Sequence, residues 1–216
     1  MDSPVSLDRA PVLSDLWLPP RQTRALTLVL HGGAQRSLRP ADGTSLSWRR
    51  ARALARTVAS RVNDAGVGVT LLRYRLKGWN AESGQTPAPV LDARWALDDL
   101  ASRHDLPIVL LGHSMGARTA AAVADHPNVK GVVALAGWFP EHEPVQALAG
   151  KVLRAAHGRK DRITSYAATA DFVRRANQHA DAEFTDMGEV GHYLLRGAEE
   201  WNQFAVSHVE KILART

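Results

Sequence analysis

The sequence predicts an α/β fold in which a mostly parallel central sheet of about six to eight strands carries helices on both faces. Apolar, β-branched runs of strand length alternate along the chain with longer segments of helical periodicity, as is typical of parallel sheets covered by helices. The 216 residues, 45% of them hydrophobic and 23% charged, suffice for one substantial core and exclude a disordered or collagen-like chain. We therefore expect residues 1–216 to form a single domain.

The elements of the first half follow from apolar runs and from glycine signals. A strand is predicted at 25–30, and residues 1–23 before it contain a candidate edge strand. Apolar residues at helical spacing predict a helix over 46–63, after which Gly66-Val67-Gly68 introduces a strand ending at Arg73. A loop over 76–89 then leads to a helix over 90–102.

The second half continues the same alternation. A strand at 107–111 runs into an alanine-rich helix over 115–124. Strands at 131–136 and 151–156 are each expected to precede helical sequence, and a short strand near 182–185 leads to a helix around 197–213. No internal repeat, linker or low-complexity segment interrupts this order, in keeping with one domain.

Charge and localisation signals narrow the choice of partners. There are 27 Lys and Arg against 22 Asp and Glu, for a net charge of +5 and a pI of about 10.0, so a nucleic-acid partner is one hypothesis. However, Arg49, Arg52 and Arg56 fall opposite an apolar helical stripe, which predicts a solvated helix face, and no nucleic-acid motif is present. The acidic N-terminus and the short apolar runs predict neither a secretory signal nor a transmembrane helix. We expect a cytoplasmic protein that contacts neither nucleic acid nor membrane.

The chain has no cysteine, which excludes disulfides, thiolate metal sites and a cysteine nucleophile. Its nine histidines are scattered and lack the paired spacing that would direct two imidazoles to one ion. We therefore expect neither a metal nor a cofactor.

The segment most informative about chemistry is Gly112-His113-Ser114-Met115-Gly116, which follows an apolar strand and opens a helix. This G-x-S-x-G pattern predicts a sharp turn that leaves Ser114 strained and exposed at the carboxyl end of the sheet, where helix amides favour negative charge. Ser114 is the candidate nucleophile, and a helix-capping serine is the alternative. A serine nucleophile needs an imidazole to take its proton and a carboxylate to orient that imidazole.

With this motif the chain resembles the α/β-hydrolase family, in which the acid and then the histidine follow the serine at the ends of the last two strands. Asp161 matches the family's HGxxD pattern, and His192 follows the next strand, so the resemblance implies a Ser114, His192 and Asp161 triad. Glu141 and Glu189 are the competing acids. His142 and His157 are the competing bases, although we expect His157 to pack at its strand end and His113 to pack and orient.

An oxyanion hole needs two backbone N–H donors. Met115, directly after the nucleophile, supplies one by geometry, and His31-Gly32-Gly33 resembles the family's HG motif, which implies Gly33 as the second donor, with Ala34 as the other choice. A phosphate or dinucleotide cradle is the alternative for this glycine-rich turn, but its spacing matches neither motif.

Only Gly137 to Gly150 separates two strands where many family members insert a lid, so we expect no sizeable lid. In this the chain resembles the dienelactone-hydrolase and small carboxylesterase or thioesterase branches. Ala34, Trp79, Trp138 and Phe139 are candidates to line a pocket, with core or rim packing as the alternative for the aromatic residues.

The resemblance implies a serine hydrolase that cleaves a small-molecule ester or thioester through an acyl-enzyme. A lactone or amide substrate is an alternative, as is a non-catalytic ligand-binding protein of the same fold. The sequence encodes neither the identity of the substrate nor the oligomeric state.

Overall fold

A computed structural model describes residues 10–19, 22–81 and 84–215. Within them lie seven strands and five α-helices; residues 1–9 of the N-terminal segment fall outside the described residues. The strands are β1 (Val12–Trp17), β2 (Ala25–Leu30), β3 (Val67–Arg73), β4 (Ile108–His113), β5 (Val129–Leu135), β6 (Val152–His157) and β7 (Asp181–Asp186). The helices are α1 (Leu46–Val62), α2 (Ala88–His104), α3 (Met115–Ala122), α4 (Tyr166–Ala176) and α5 (Ala198–Leu213).

The strands form one sheet in the order β1-β3-β2-β4-β5-β6-β7. All neighbours are parallel except β1, which lies at the edge and pairs antiparallel with β3. The predicted α/β class and the mostly parallel sheet are confirmed. In such a sheet the carboxyl ends of the parallel strands meet at one edge, where the connecting loops can assemble a site.

Alternate residues of each strand pack into two separate hydrophobic cores, one on each face of the sheet. Leu26, Leu28 and Leu30 pack with helices α2, α3 and α4 on one face, whereas Ala25 and Val29 pack with α1 and α5 on the other. Because both faces are covered, the central strands are buried along their whole length, which explains why they read as continuous apolar runs rather than as alternating ones.

Helix α1 shows the predicted division of its two sides. Its apolar stripe, including Leu54, Val58 and Val62, is buried, while Arg49 and Arg56 are exposed. Of the helices in the described residues, none is long and apolar enough to span a membrane.

The connection between β5 and β6 differs from the prediction. We expected helical sequence there, but the structure has only one 3₁₀ turn, Gln146–Leu148. Pro140 and Pro144 both lack an amide hydrogen and break up this short segment. The loop is therefore compact, and it carries residues to the edge of the sheet instead of a covering helix.

Candidate active site

Ser114 lies in the tight turn between β4 and α3, with φ 57° and ψ −119°. This is a positive φ that few non-glycine residues adopt. A Cβ on Gly112 would overlap the backbone of Gly116 and Ala117, and a Cβ on Gly116 would overlap the carbonyl of Leu30. The turn can form only because both flanking positions are glycine.

The backbone of Ser114 is held on both sides. Its N–H donates to the carbonyl of Leu135 at 3.0 Å, and its own carbonyl accepts from Trp138 N–H at 3.2 Å and from Ala117 N–H at 3.1 Å. These bonds tie the strained residue to the end of β5 and to the first turn of α3, so its backbone has a fixed position.

His192, in the connection between β7 and α5, contacts that hydroxyl. Its Nε2 lies 3.1 Å from Ser114 Oγ, and its Nδ1 lies 2.8 Å from Asp161 Oδ2. The carboxylate can only accept, so His192 Nδ1 carries the proton and Nε2 is free to accept from the serine. His113 Nε2 lies 2.9 Å from the carbonyl of His192 and donates to it, which fixes the backbone of that loop.

Asp161 follows β6, and its side chain is fully buried. Its Oδ1 accepts from the amides of Ile163 at 2.8 Å and Thr164 at 2.9 Å. Its Oδ2 lies 2.8 Å from His192 Nδ1, 3.0 Å from His157 Nε2 and 2.9 Å from the Thr164 hydroxyl. Burial raises the pKa of Asp161, but the hydrogen bonds from His157, His192 and the two amides outweigh it and hold that pKa well below its usual range. The carboxyl group is therefore ionised at neutral pH.

The turn after β2 brings a second backbone segment beside Ser114. An ideal Cβ on Gly32 would lie 3.3 Å from Ser114 Cβ, and one on Gly33 would overlap the Met115 side chain and the carbonyl of Lys77. Ala34 N–H already donates to the Lys77 carbonyl at 2.8 Å. Among the described residues no acceptor is present for the Gly33 N–H, so Gly33 and not Ala34 has a free donor here.

His31 fixes the orientation of this turn. Its Nδ1 lies 2.6 Å from the carbonyl of Gly32, and its Nε2 accepts from the Tyr74 N–H at 3.3 Å. Burial lowers the pKa of His31 to about 4, so the ring is neutral and donates through Nδ1. Because the Gly32 carbonyl and the Gly33 N–H belong to one planar trans peptide, holding the carbonyl also aims the N–H.

Two of the four pocket candidates, Trp79 and Trp138, pack against each other. The rings of Trp79 and Trp138 meet edge to face at 6.0 Å, and the Arg118 guanidinium lies 3.9 Å from the first ring centroid and 4.6 Å from the second. Arg118 also pairs with the buried Glu143 at 2.7 Å. Trp138 is half-buried, and its N–H donates to the Ser114 carbonyl at 3.2 Å. Trp79 is 7% exposed and packs in the core, so the pocket interpretation of Trp79 needs correction.

The other two pocket candidates have different environments. Ala34 is exposed at the rim, where its carbonyl accepts from the Trp79 N–H at 2.8 Å. Phe139 is 3% exposed and stacks on Phe172 of α4 at 3.9 Å. The pocket interpretation of Phe139 therefore needs correction, because the compact loop after β5 turns this ring into the core.

The competing candidates lie outside this hydrogen-bonded group. Glu141 and His142 are exposed and face each other at 3.5 Å, and Glu189 pairs with Lys160 at 3.0 Å. In the described part of the chain, none of these three side chains has a contact with His192. No group of three or more His, Asp or Glu there could hold a metal ion.

Sequence reasoning missed two features of the site. It placed His157 at a strand end without its bond to Asp161, and it passed over the pairing of Arg118 with Glu143. The first had a signal, since the HGxxD pattern puts His157 four residues before Asp161 at the same strand end. The second had none, because it joins α3 to a loop 25 residues away in sequence.

We expect the buried histidines to make the fold sensitive to acid. Burial, with the nearby His192 and Arg50, lowers the pKa of His113 to about 3, from 6.5 for an exposed ring. Between those values the unfolded chain binds a proton that the folded chain does not, so stability falls as the pH drops below 6.5. In urea unfolding at pH 4.5 to 6.5, His113→Gln should reduce this slope by up to about 1.4 kcal/mol per pH unit.

The matched control for that measurement is His142→Gln, since His142 has a side chain that is 89% exposed. It should leave the slope unchanged. Equal slopes for wild type and His113→Gln would contradict the assignment of His113 as a neutral buried ring.

Solved structures with this fold share little sequence with the chain. An a/b serine hydrolase without lid from Xanthomonas campestris is 19% identical, with 89% of this chain and 87% of that chain covered and a TM-score of 0.65. Est1E from Butyrivibrio proteoclasticus, with ferulic acid bound, is 15% identical, with 94% of this chain and 96% of that chain covered and a TM-score of 0.67. The thermophilic esterase Est2 from Thermogutta terrifontis, bound to butyrate, is 15% identical, with 93% of this chain and 87% of that chain covered and a TM-score of 0.66.

The connection between β5 and β6 holds only one 3₁₀ turn, so the expected lack of a sizeable lid is confirmed for the described residues. No curated protein sequence matches the chain. The sequence pattern of the alpha/beta hydrolase family matches residues 27–214, a range that holds every residue of the site described above. The chain therefore belongs to the alpha/beta hydrolase family.

Proposed function

We propose that this protein is a serine hydrolase that cleaves a small carboxylic ester or thioester, with Ser114 as nucleophile, His192 as general base and Asp161 as the acid that orients the base. One observation carries the proposal. A hydrogen-bonded chain runs from Ser114 Oγ through both nitrogens of His192 to Asp161 Oδ2, with contacts of 3.1 and 2.8 Å, and it starts from a serine strained at the end of the sheet.

The steps follow from this geometry. Ser114 Oγ attacks the carbonyl carbon while its proton passes to His192 Nε2, and the ionised Asp161 stabilises the imidazolium. When the tetrahedral intermediate collapses, the imidazolium donates that proton to the departing alcohol or thiol. Water then attacks the acyl-enzyme with His192 again as base, and the acid leaves as Ser114 regains its proton.

The negative oxygen of the intermediate needs two fixed donors. We assign them to the amides of Met115 and Gly33. Met115 is the first residue of α3, so its N–H has no partner within the helix, and the helix dipole favours an anion there. Ala34 is a poorer choice than Gly33, because its N–H is engaged by the Lys77 carbonyl at 2.8 Å.

The proposed substrate class rests on Trp138, whose N–H bonds the Ser114 carbonyl at 3.2 Å. The half-buried Trp138 offers an apolar ring, and the Arg118 guanidinium over it is paired with Glu143, so this side suits an uncharged acyl or alcohol group. Two proteins of similar fold are described with a small carboxylic acid bound, ferulic acid in Est1E and butyrate in Est2. A short acyl chain or an aromatic acyl group is our first choice.

The primary test is hydrolysis of a short p-nitrophenyl ester and of the matching thioester. Ser114→Ala should lower kcat/KM by about 10,000-fold or more, since the remaining groups cannot supply a nucleophile. Ser60→Ala, which removes an exposed hydroxyl on α1, should keep full activity. Retained hydrolysis by well-folded Ser114→Ala would contradict the proposal.

A second prediction concerns Gly33. An added Cβ would overlap Lys77 and Met115, so Gly33→Ala should displace the amide and lower kcat about 100-fold with little change in KM. The same change at Gly43, whose added Cβ meets nothing within 4 Å, should have no effect. An unchanged kcat for Gly33→Ala would remove Gly33 from the oxyanion hole.

A further inference from the structure

A second histidine shares the carboxylate of Asp161. His157 is the last residue of β6 and is fully buried. Its Nε2 lies 3.0 Å from Asp161 Oδ2, the oxygen that His192 Nδ1 contacts at 2.8 Å. The proposed reaction uses only His192, so the presence of a second imidazole on the same oxygen calls for an explanation.

Proton counting fixes the role of His157 Nε2. Asp161 is ionised and can only accept, so the contact requires a proton on His157 Nε2. On the other side of the ring, His157 Nδ1 lies 2.9 Å from the hydroxyl of Thr169, on α4. The Thr169 hydroxyl also lies 3.2 Å from the Gly137 carbonyl, and its single proton can serve only one of these two acceptors. When Thr169 donates to Nδ1, the ring is neutral with its proton on Nε2, which is the tautomer that donates to Asp161.

The same oxygen has one further partner. The Thr164 hydroxyl lies 2.9 Å from Asp161 Oδ2, but it also lies 3.2 Å from the Ala136 carbonyl, and its single proton can serve only one of them. While the Thr164 hydroxyl donates to the Ala136 carbonyl, it cannot donate to Asp161 Oδ2, and His157 Nε2 supplies a donor in its place.

We propose that His157 is a positioning residue of the hydrolytic reaction, which holds Asp161 Oδ2 in line with His192 and shares its negative charge. The inference rests on the proposed function. His157 touches neither Ser114 nor His192 Nε2, so its effect on the reaction passes through Asp161. If His157 acted only by packing, any side chain of similar volume could replace it.

Sharing the carboxylate has a defined consequence for pH dependence. With two imidazoles on one oxygen, each receives less stabilisation of its cation than a single partner would. Loss of the His157 donor therefore leaves more of the negative charge of Asp161 to interact with His192. The acid limb of the kcat/KM profile should then move toward higher pH.

The other groups near the two rings stay the same in this comparison. His192 faces Asp161, Ser114, the His113 ring at 4.9 Å and Tyr193 at 5.4 Å, and Arg50 of α1 lies over the Tyr193 ring at 4.7 Å. His157 faces Asp161 and, from α4, Thr169 and the Tyr166 ring at 6.1 Å. The Thr164 hydroxyl lies near both rings, 3.1 Å from His192 Nδ1 and 3.4 Å from His157 Nε2. Because none of these is altered, a shift of the profile can be attributed to position 157.

Two substitutions separate positioning from packing. The amide nitrogen of Gln can occupy the place of His Nε2, whereas that of Asn matches Nδ1. His157→Gln should keep the bond to Asp161 and stay within about threefold of wild-type kcat, with an unshifted profile. His157→Asn should keep only the contact with Thr169, lose about tenfold or more in kcat at constant KM, and show an acid limb higher by up to about one pH unit.

The outcome is read against wild type and against His179→Asn, a change at an exposed histidine. Equal behaviour of the Gln and Asn variants, with or without loss of activity, would overturn the inference. If wild type, like Ser114→Ala, hydrolysed neither the ester nor the thioester, that result would instead overturn the proposed function.

A measurement on the unmodified protein keeps the inference open to test if both variants fail to fold. In ¹⁵N-histidine spectra of wild type, the His157 resonances should show a protonated Nε2 at neutral pH. A neutral ring with its only proton on Nδ1 could not donate to Asp161, and that result would overturn the inference.

Discussion

Helix α3 approaches strands β2 and β4 so closely that no side chain fits between their backbones, and the site depends on this approach. A Cβ at Gly112 or Gly116 would overlap neighbouring backbone atoms. The close contact holds Ser114 at φ 57°, with its hydroxyl at the edge where the parallel strands end. The same contact places the start of α3 beside Gly32 and Gly33, so that one packing constraint sets both the candidate nucleophile and the candidate anion donors.

The buried carboxylate of Asp161 is the centre of the hydrogen bonds at the site. A fully buried carboxylate is costly unless its oxygens are saturated with donors, and here two amides, two imidazoles and a hydroxyl approach it. These donors come from the end of β6, from the turn that follows it and from the loop after β7. The carboxylate therefore fixes two loops to each other as well as the ring of His192. Stability and the proposed chemistry draw on the same hydrogen bonds.

Much of this arrangement could be predicted from sequence because it depends on order along the chain. Parallel strands end at one edge, so residues directly after β4, β6 and β7 must lie near one another. For this reason Ser114, Asp161 and His192, named from their motifs, lie within hydrogen-bonding distance in the structure. The two glycines around Ser114 are likewise local signals, since they report a backbone that leaves no room for Cβ.

What could not be predicted depends on how loops pack across the sheet edge. The choice of Gly33 over Ala34 rests on a bond from Ala34 to Lys77, which lies in a different loop. The inward turn of Phe139 and the clamp of Arg118 on Trp79 and Trp138 have the same origin. Their partners are distant in sequence, and neither periodicity nor spacing encodes the distances between them.

The role of Ser114 is tested most directly by covalent labelling with a fluorophosphonate, followed by mass-spectrometric mapping of the adduct. We expect one adduct, on the peptide that contains Ser114, in stoichiometric amount. Labelling should be lost in His192→Ala, because the serine then has no base to accept its proton. An adduct on another residue, or no adduct on well-folded wild type, would contradict the assignment of Ser114 as an activated nucleophile.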